Sequence, residues 1–141
     1  MVSEMAISNV EDFKAGIKHC PIETAFERIG KKWAINILRD LFLGKKRFAE
    51  FLKANPELSG KVLAERLKEL EKDGLIKKKI VSKTPLKVEY ELTERGKNLD
   101  KVLYAIIMFS MKNYSKEVFR NHSQFDEKTC SIITKKSLTI K

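Results

Sequence analysis

Residues 59–74 read SGKVLAERLKELEKDG, and the spacing within them decides the fold. Ser59 is a good N-cap, because its hydroxyl can accept an orphan backbone N–H at the start of a helix. Leu63, Leu67 and Leu70 then recur at i, i+4 and i+7 and share one helix face, while Lys61, Glu65, Lys68 and Lys72 fall on the opposite one. Asp73-Gly74 stops the run. The first turn carries no bulky apolar side chain except Val62. A helix with one buried side, one charged side and an uncluttered N-terminal turn suits insertion into a groove.

Working outward, residues 75–82 and 88–92 read as two strands. Val88, Tyr90 and Leu92 alternate with Glu89 and Glu91, the period-two signature of a half-buried hairpin. Residues 83–87 between them form a loop, since Pro85 cannot sit inside a central strand. Thr93 can cap a last long helix over 94–115, with Glu94 in its first turn and Leu99, Val102, Leu103, Ile106, Ile107, Phe109 and Met111 apolar along it.

Upstream, Pro21 opens a helix with Ile22, Ala25, Phe26 and Ile29 at helical spacing, ended by Gly30. Residues 33–42 form a second amphipathic stretch closed by Gly44, and residues 47–53 a third, with Phe48, Phe51 and Leu52 inward. Trp33 and Phe48 are read as core. A weaker helix falls near residues 10–17.

The order is helix, helix, helix, charged-face helix, basic hairpin, long helix. The third and fourth helices with the Pro56 turn make a helix-turn-helix, and the hairpin adds a wing. The expected class is therefore mainly α with a small β-hairpin, an α+β winged helix-turn-helix. Residues 20–115 form the domain, flanked by an extension over 1–19 and a tail over 116–141.

Charge points the same way. The 141 residues carry 29 Lys and Arg against 19 Asp and Glu, a net +10. The excess is concentrated: residues 1–30 carry −2 and residues 31–95 carry +7. Such a balance suits a polyanionic partner, nucleic acid or an anionic membrane surface. The membrane reading is the weaker, because the basic residues follow a hairpin rather than one face of an amphipathic helix. No apolar run is long enough to span a bilayer, and the first residues lack the pattern of a signal peptide, so a cytoplasmic location is expected. No Gly-rich phosphate loop, nucleophile elbow or metalloprotease motif occurs, so neither an enzyme nor a cofactor is expected. Cys20, Cys130, His19 and His122 have no metal-site spacing.

Several stretches carry a family likeness: Cys20-Pro21-Ile22-Glu23, Ile29-Gly30-Lys31-Lys32-Trp33, Ile37-Leu38-Arg39-Asp40-Leu41, Lys46-Arg47-Phe48-Ala49-Glu50, residues 63–70, Asp73-Gly74-Leu75-Ile76 and residues 88–93. In order and spacing over about residues 20–110 they resemble the HxlR-type winged-helix transcriptional regulators, whose architecture is related to that of MarR-like proteins. The resemblance implies a homodimer that binds double-stranded DNA, with residues 59–73 as recognition helix and 83–87 as wing tip. It also implies a dimer interface made by the N-terminal and long C-terminal helices. The chain departs from the family pattern at Gly60, where Pro or another residue is usual, and at Glu65, often a neutral polar residue. A carboxylate accepts from a cytosine amino group and repels phosphate, so base preference does not carry over.

The residues expected to meet DNA are Ser59, Gly60, Lys61, Glu65 and Lys68 on the helix, with Lys83 and Lys87 on the wing. Arg66, nearer the buried edge, has two readings, a DNA contact or a bridge to an acidic neighbour. The apolar face of residues 94–115 is too wide for one small core, so Leu99, Leu103, Ile106 and Ile107 are expected at a dimer interface with helix 21–29. Cys20 stands at a helix N-terminus beside Lys18 and His19, where positive potential favours the thiolate. Some members of the family sense oxidants or electrophiles there, so Cys20 is a redox candidate, against the plainer reading of a reduced cysteine without a signal. A small-molecule or oxidant effector fits the family. The rival function is a winged helix that binds protein and has no specific affinity for DNA.

Overall fold

The computed structural model describes residues 14–119. Helix α1 (Pro21–Ile29) starts with proline in its first turn, and Gly30 closes it by donating its N–H to the Phe26 carbonyl at 2.7 Å. A Cβ on Gly30 would sit 2.5 Å from that same oxygen. Helix α1 buries little beyond Ile29. Helix α2 (Ala34–Phe42) is the opposite case, burying Ala34, Ile37, Leu38, Leu41 and Phe42. Helix α3 (Phe48–Ala54) packs Phe51 inward, with Phe48 and Leu52 at the core's edge. Helix α4 (Gly60–Lys72) starts where Ser59 accepts from the Val62 N–H at 3.2 Å and buries Leu63, Leu67 and Leu70.

Gly74 turns the chain with φ +75 into strand β1 (Ile76–Lys83), which pairs antiparallel with β2 (Leu86–Leu92). The strands run further than the alternation of residues 88–92 alone suggested, so the expected five-residue loop shrinks to Thr84-Pro85, joined by a cis peptide bond. Backbone pairing with Leu86 and Lys87 extends β2 up to the proline and no further. The Tyr90 N–H also donates to the Lys46 carbonyl at 2.8 Å, pinning the hairpin beside the start of α3.

The single long helix expected over 94–115 is divided into α5 (Glu94–Lys97), α6 (Asp100–Asn113) and a final turn, α7 (Ser115–Val118). Close packing causes the first break. Gly96 lies so near strand β1 that a Cβ there would come within 2.0 Å of the Leu75 carbonyl oxygen. Thr93 fixes the same corner, its hydroxyl donating to the Gly74 carbonyl and accepting from the Gly96 N–H. After this anchored turn the chain makes a tighter bond, Leu99 N–H to the Gly96 carbonyl, and α6 begins at Asp100.

One buried polar cluster locks the helical corner. Asp40 is 1% exposed. Its Oδ1 accepts from Arg39 Nε and Nη2 at 3.1 and 2.9 Å, and its Oδ2 accepts from Asn55 Nδ2 at 2.8 Å. Asn55 also donates to the Phe51 carbonyl. The end of α2 is thus bonded to the end of α3, which sets the angle at which the chain enters α4.

Candidate nucleic-acid interface

The core face of α4 leaves its other side in solvent. Ser59, Lys61, Glu65 and Lys68 are exposed there and Gly60 is half-buried. A Cβ on Gly60 would meet only the Phe48 ring at 3.8 Å, an ordinary contact, so the backbone does not require glycine. Among the described residues Lys61, Lys68 and Lys72 form no ion pair, and neither does Glu65. Four side chains named from the sequence therefore stand together on one free helix face.

The hairpin is less basic in effect than in sequence. Lys77 is paired with Glu91 at 3.2 Å, and Glu89, opposite Lys79, draws Arg47 to 3.7 Å. The unpaired cations of the wing are Lys78, Lys79, Lys83 and Lys87. A bulge at Val81 shifts the register so that Ser82 faces Lys87 and Lys83 faces Leu86. Paired residues share a face and neighbours alternate, so Lys83 and Lys87 point to opposite faces of the ribbon. The sequence put both at the tip but not on two sides.

Arg66 is used within the protein. Its Nε donates to the Lys32 carbonyl at 2.9 Å, and its Nη1 meets Glu69 Oε2 at 3.2 Å. Glu69 Oε1 in turn accepts from Lys31 Nζ at 2.9 Å. The Lys31 hydrogen bond is the largest effect that holds the Glu69 carboxyl below the usual carboxylate range; burial, second in size, opposes it, and the Arg66 and Lys31 charges add to the lowering. A lowered pKa in the folded state means the bridge stabilises fully above the unfolded value and is lost as pH falls through the folded one. Glu69→Gln is therefore expected to lower the urea midpoint slightly at pH 7 and by progressively less as pH falls below the ordinary carboxylate range, as equilibrium unfolding across that range would measure.

The expected interface residues divide. Leu103 is buried within the chain at 4% exposure, and Leu99 packs against the core. Ile107 is half-buried and Ile106 is 44% exposed. Ile22 and Phe26, at helical spacing with Ile29 on the other helix expected at the interface, are 69% and 60% exposed. Phe109 is 59% exposed beside Tyr114, their ring centroids 5.9 Å apart. The excess width of the apolar face on residues 94–115 was the signal for this surplus, but it did not say which residues carry it.

Trp33 is half-buried at the core's edge, with Lys32 Nζ 5.4 Å from its ring centroid and its backbone in the left-handed region at φ 77. Nothing in the sequence signalled that conformation. Cys20 is exposed, at the N-terminal end of α1. Cys130 lies outside the described residues, as do residues 10–13 of the weak helix near 10–17. Among the described residues no His, Cys, Asp and Glu cluster is arranged to hold a metal, and no helix is long and apolar enough to cross a membrane.

A family model described as HxlR-like helix-turn-helix matches residues 28–118. The HTH-type transcriptional regulator YvaP of Bacillus subtilis (strain 168) is 45% identical over 85 residues, 60% of this chain and 79% of YvaP. The regulator YodB of the same organism is 45% identical over 84 residues, 59% of this chain and 75% of YodB. The reduced form of YodB superposes with TM-score 0.61 at 40% identity, covering 67% of this chain and 94% of that structure. The redox regulator HypR in its reduced form gives TM-score 0.65 at 33% identity, with coverage of 71% and 100%.

Proposed function

The chain belongs to the HxlR-like helix-turn-helix family, whose relatives here are transcriptional regulators, and from that premise we propose that it binds a two-fold symmetric DNA site as a homodimer. The location of the unpaired lysines carries this reading. Lys31, Lys45, Lys77 and Lys97 lie near carboxylates, whereas Lys61 and Lys68 on α4 and Lys83 and Lys87 on the wing do not. Cations left free on a groove-sized helix and the adjacent hairpin suit a duplex, with the helix in the major groove and the hairpin at the phosphates.

Lys61 and Glu65, one turn apart near the N-terminus of α4, are the base-reading pair. Ser59 and the half-buried Gly60 let the backbone approach a phosphate, and Lys68 touches the groove wall. Lys83 and Lys87, on opposite faces of the ribbon, reach phosphates. The dimer is made by α1 and α6 through Ile22, Phe26, Ile106 and Phe109, with Leu99, Leu103 and Ile107 supporting them from beneath. Two α4 helices then read half-sites on the order of 34 Å apart. Cys20, exposed on α1 at the edge of this interface, is where an oxidant or electrophile would act; the described likeness to a redox regulator supports that reading.

Selecting bound sequences from random duplex DNA, with reduced and with oxidised protein, tests the whole reading. A palindromic consensus enriched by the reduced protein and altered on oxidation is expected. Protein that enriches nothing, with no salt-dependent affinity for duplex, is a protein-binding winged helix instead. The division of labour has its own measurement. Lys61→Ala is expected to change the enriched sequence, whereas Lys83→Ala and Lys87→Ala should weaken binding to all sequences and reduce the salt slope by about 1 each.

A further inference from the structure

The apolar face of α4 holds it to the core and sets which side faces outward, and directional bonds fix that orientation more finely. The body of α4 makes its described side-chain hydrogen bonds to the rest of the molecule through two residues, Arg66 and Glu69, and both reach the turn that follows α1. Arg66 Nε donates to the Lys32 carbonyl at 2.9 Å, and Glu69 binds Lys31 Nζ at 2.9 Å while receiving Arg66 Nη1 at 3.2 Å. At the C-terminal end of α4, Arg95 Nη1 donates to the Asp73 carbonyl at 3.0 Å, a bond from α5, which leads into α6. The recognition helix is therefore bonded at two points, each adjoining a helix with an exposed apolar face.

The turn that receives the first bond is closely packed. Gly30 has no room for a side chain, its Cβ position lying 2.5 Å from the Phe26 carbonyl oxygen. Trp33 holds a left-handed backbone, a conformation unfavourable for a bulky residue that persists only where the surroundings impose it. Its indole is packed at the core's edge with Lys32 across its face. The bonds of Arg66 and Glu69 thus end on a turn whose own conformation is held by its packing.

We propose that Arg66 and Glu69, with Lys31, are positioning residues that tie the aim of the recognition helix to α1, so that the arrangement of the dimer interface sets how α4 enters DNA. The proposal rests on the DNA-binding homodimer described above. Neither Arg66 nor Glu69 touches DNA in it. Arginine is needed at 66 because one planar group makes both bonds, to a carbonyl and to a carboxylate, which a lysine ammonium on a flexible stem does not reproduce.

The test compares affinity for the selected site with affinity for random duplex, alongside the thermal midpoint, in the full-length protein. Glu69→Gln and Arg66→Lys are expected to lower the ratio about tenfold, with affinity for random duplex within about twofold of wild type and little change in midpoint. Lys31→Arg, which keeps the bond to Glu69, should keep the ratio. The exchanged pair Lys31→Glu with Glu69→Lys should recover much of what Glu69→Lys alone loses. An unchanged ratio in Glu69→Gln, or a loss that follows the thermal midpoint variant by variant, overturns the proposal. A wild-type protein that binds every duplex equally refutes the DNA reading, and hydrogen exchange then decides the lock. Faster exchange in both 29–34 and 59–66 of Glu69→Gln supports it, and unchanged exchange in 29–34 overturns it.

Discussion

Replacing Ile106 with Glu is expected to give a protein that sediments as a monomer at micromolar concentration and binds its selected DNA site at least about a hundredfold more weakly. Ile106 is 44% exposed in the single chain, on the same helix as the exposed Val102 and Phe109. In the dimer proposed above it meets a second copy, and a carboxylate there would be buried without a partner. The loss on DNA exceeds anything expected from one lysine contact. Two linked half-site contacts bind with the second at a high effective concentration, and a monomer forfeits that advantage. Phe26→Glu on α1 should act alike. Because Ile106 lies outside the core, the monomer should still melt cooperatively; a dimeric Ile106→Glu of wild-type affinity would place the interface elsewhere.

The second large effect is expected inside the helical corner. Asp40→Ala should destabilise the protein by about 3 kcal/mol and lower its thermal midpoint by 10 °C or more, roughly. Asp40 is the shared acceptor for Arg39 and Asn55. Without it Asn55, itself 5% exposed, keeps the Phe51 carbonyl for its Nδ2 and Arg39 Nη2, at 3.1 Å, for its Oδ1. Arg39 is 44% exposed at its side chain and recovers water, which holds the cost toward the lower end for a broken buried pair. Denaturant unfolding of Asp40→Ala and Asp40→Asn would check this, with Asn intermediate because it retains one acceptor. A midpoint equal to wild type would mean the cluster contributes nothing net.

Much of the functional surface follows from local rules. The Ser59 cap, the Leu63, Leu67 and Leu70 stripe and the stop at Gly74 each depend on neighbours within a few turns, so the outward, lysine-bearing face of α4 was legible from spacing alone. The hairpin was legible for the same reason, its alternation surviving intact in the register Ile76↔Leu92 to Ile80↔Val88. The bulge at Val81 was not, because a shift of one residue depends on what the partner strand offers and on the turn that joins them.

What the sequence alone determined here is the order of elements, the helix that faces outward and the positive sign of its charge, since periodicity, capping and composition are properties of short segments. Tertiary structure alone decided which apolar residues are surplus and which cations are free. Ile22, Phe26 and Ile29 share one helical face by spacing, and only the packing of α1 at the edge of the core buries Ile29 and leaves the other two in water. Lys77 and Lys83 are equal as lysines, and only the cross-strand position of Glu91 engages the first. The long helix likewise divides because the Leu75 carbonyl comes against Gly96. Each of these is a contact between residues far apart in the chain, where local pattern carries no information about distance.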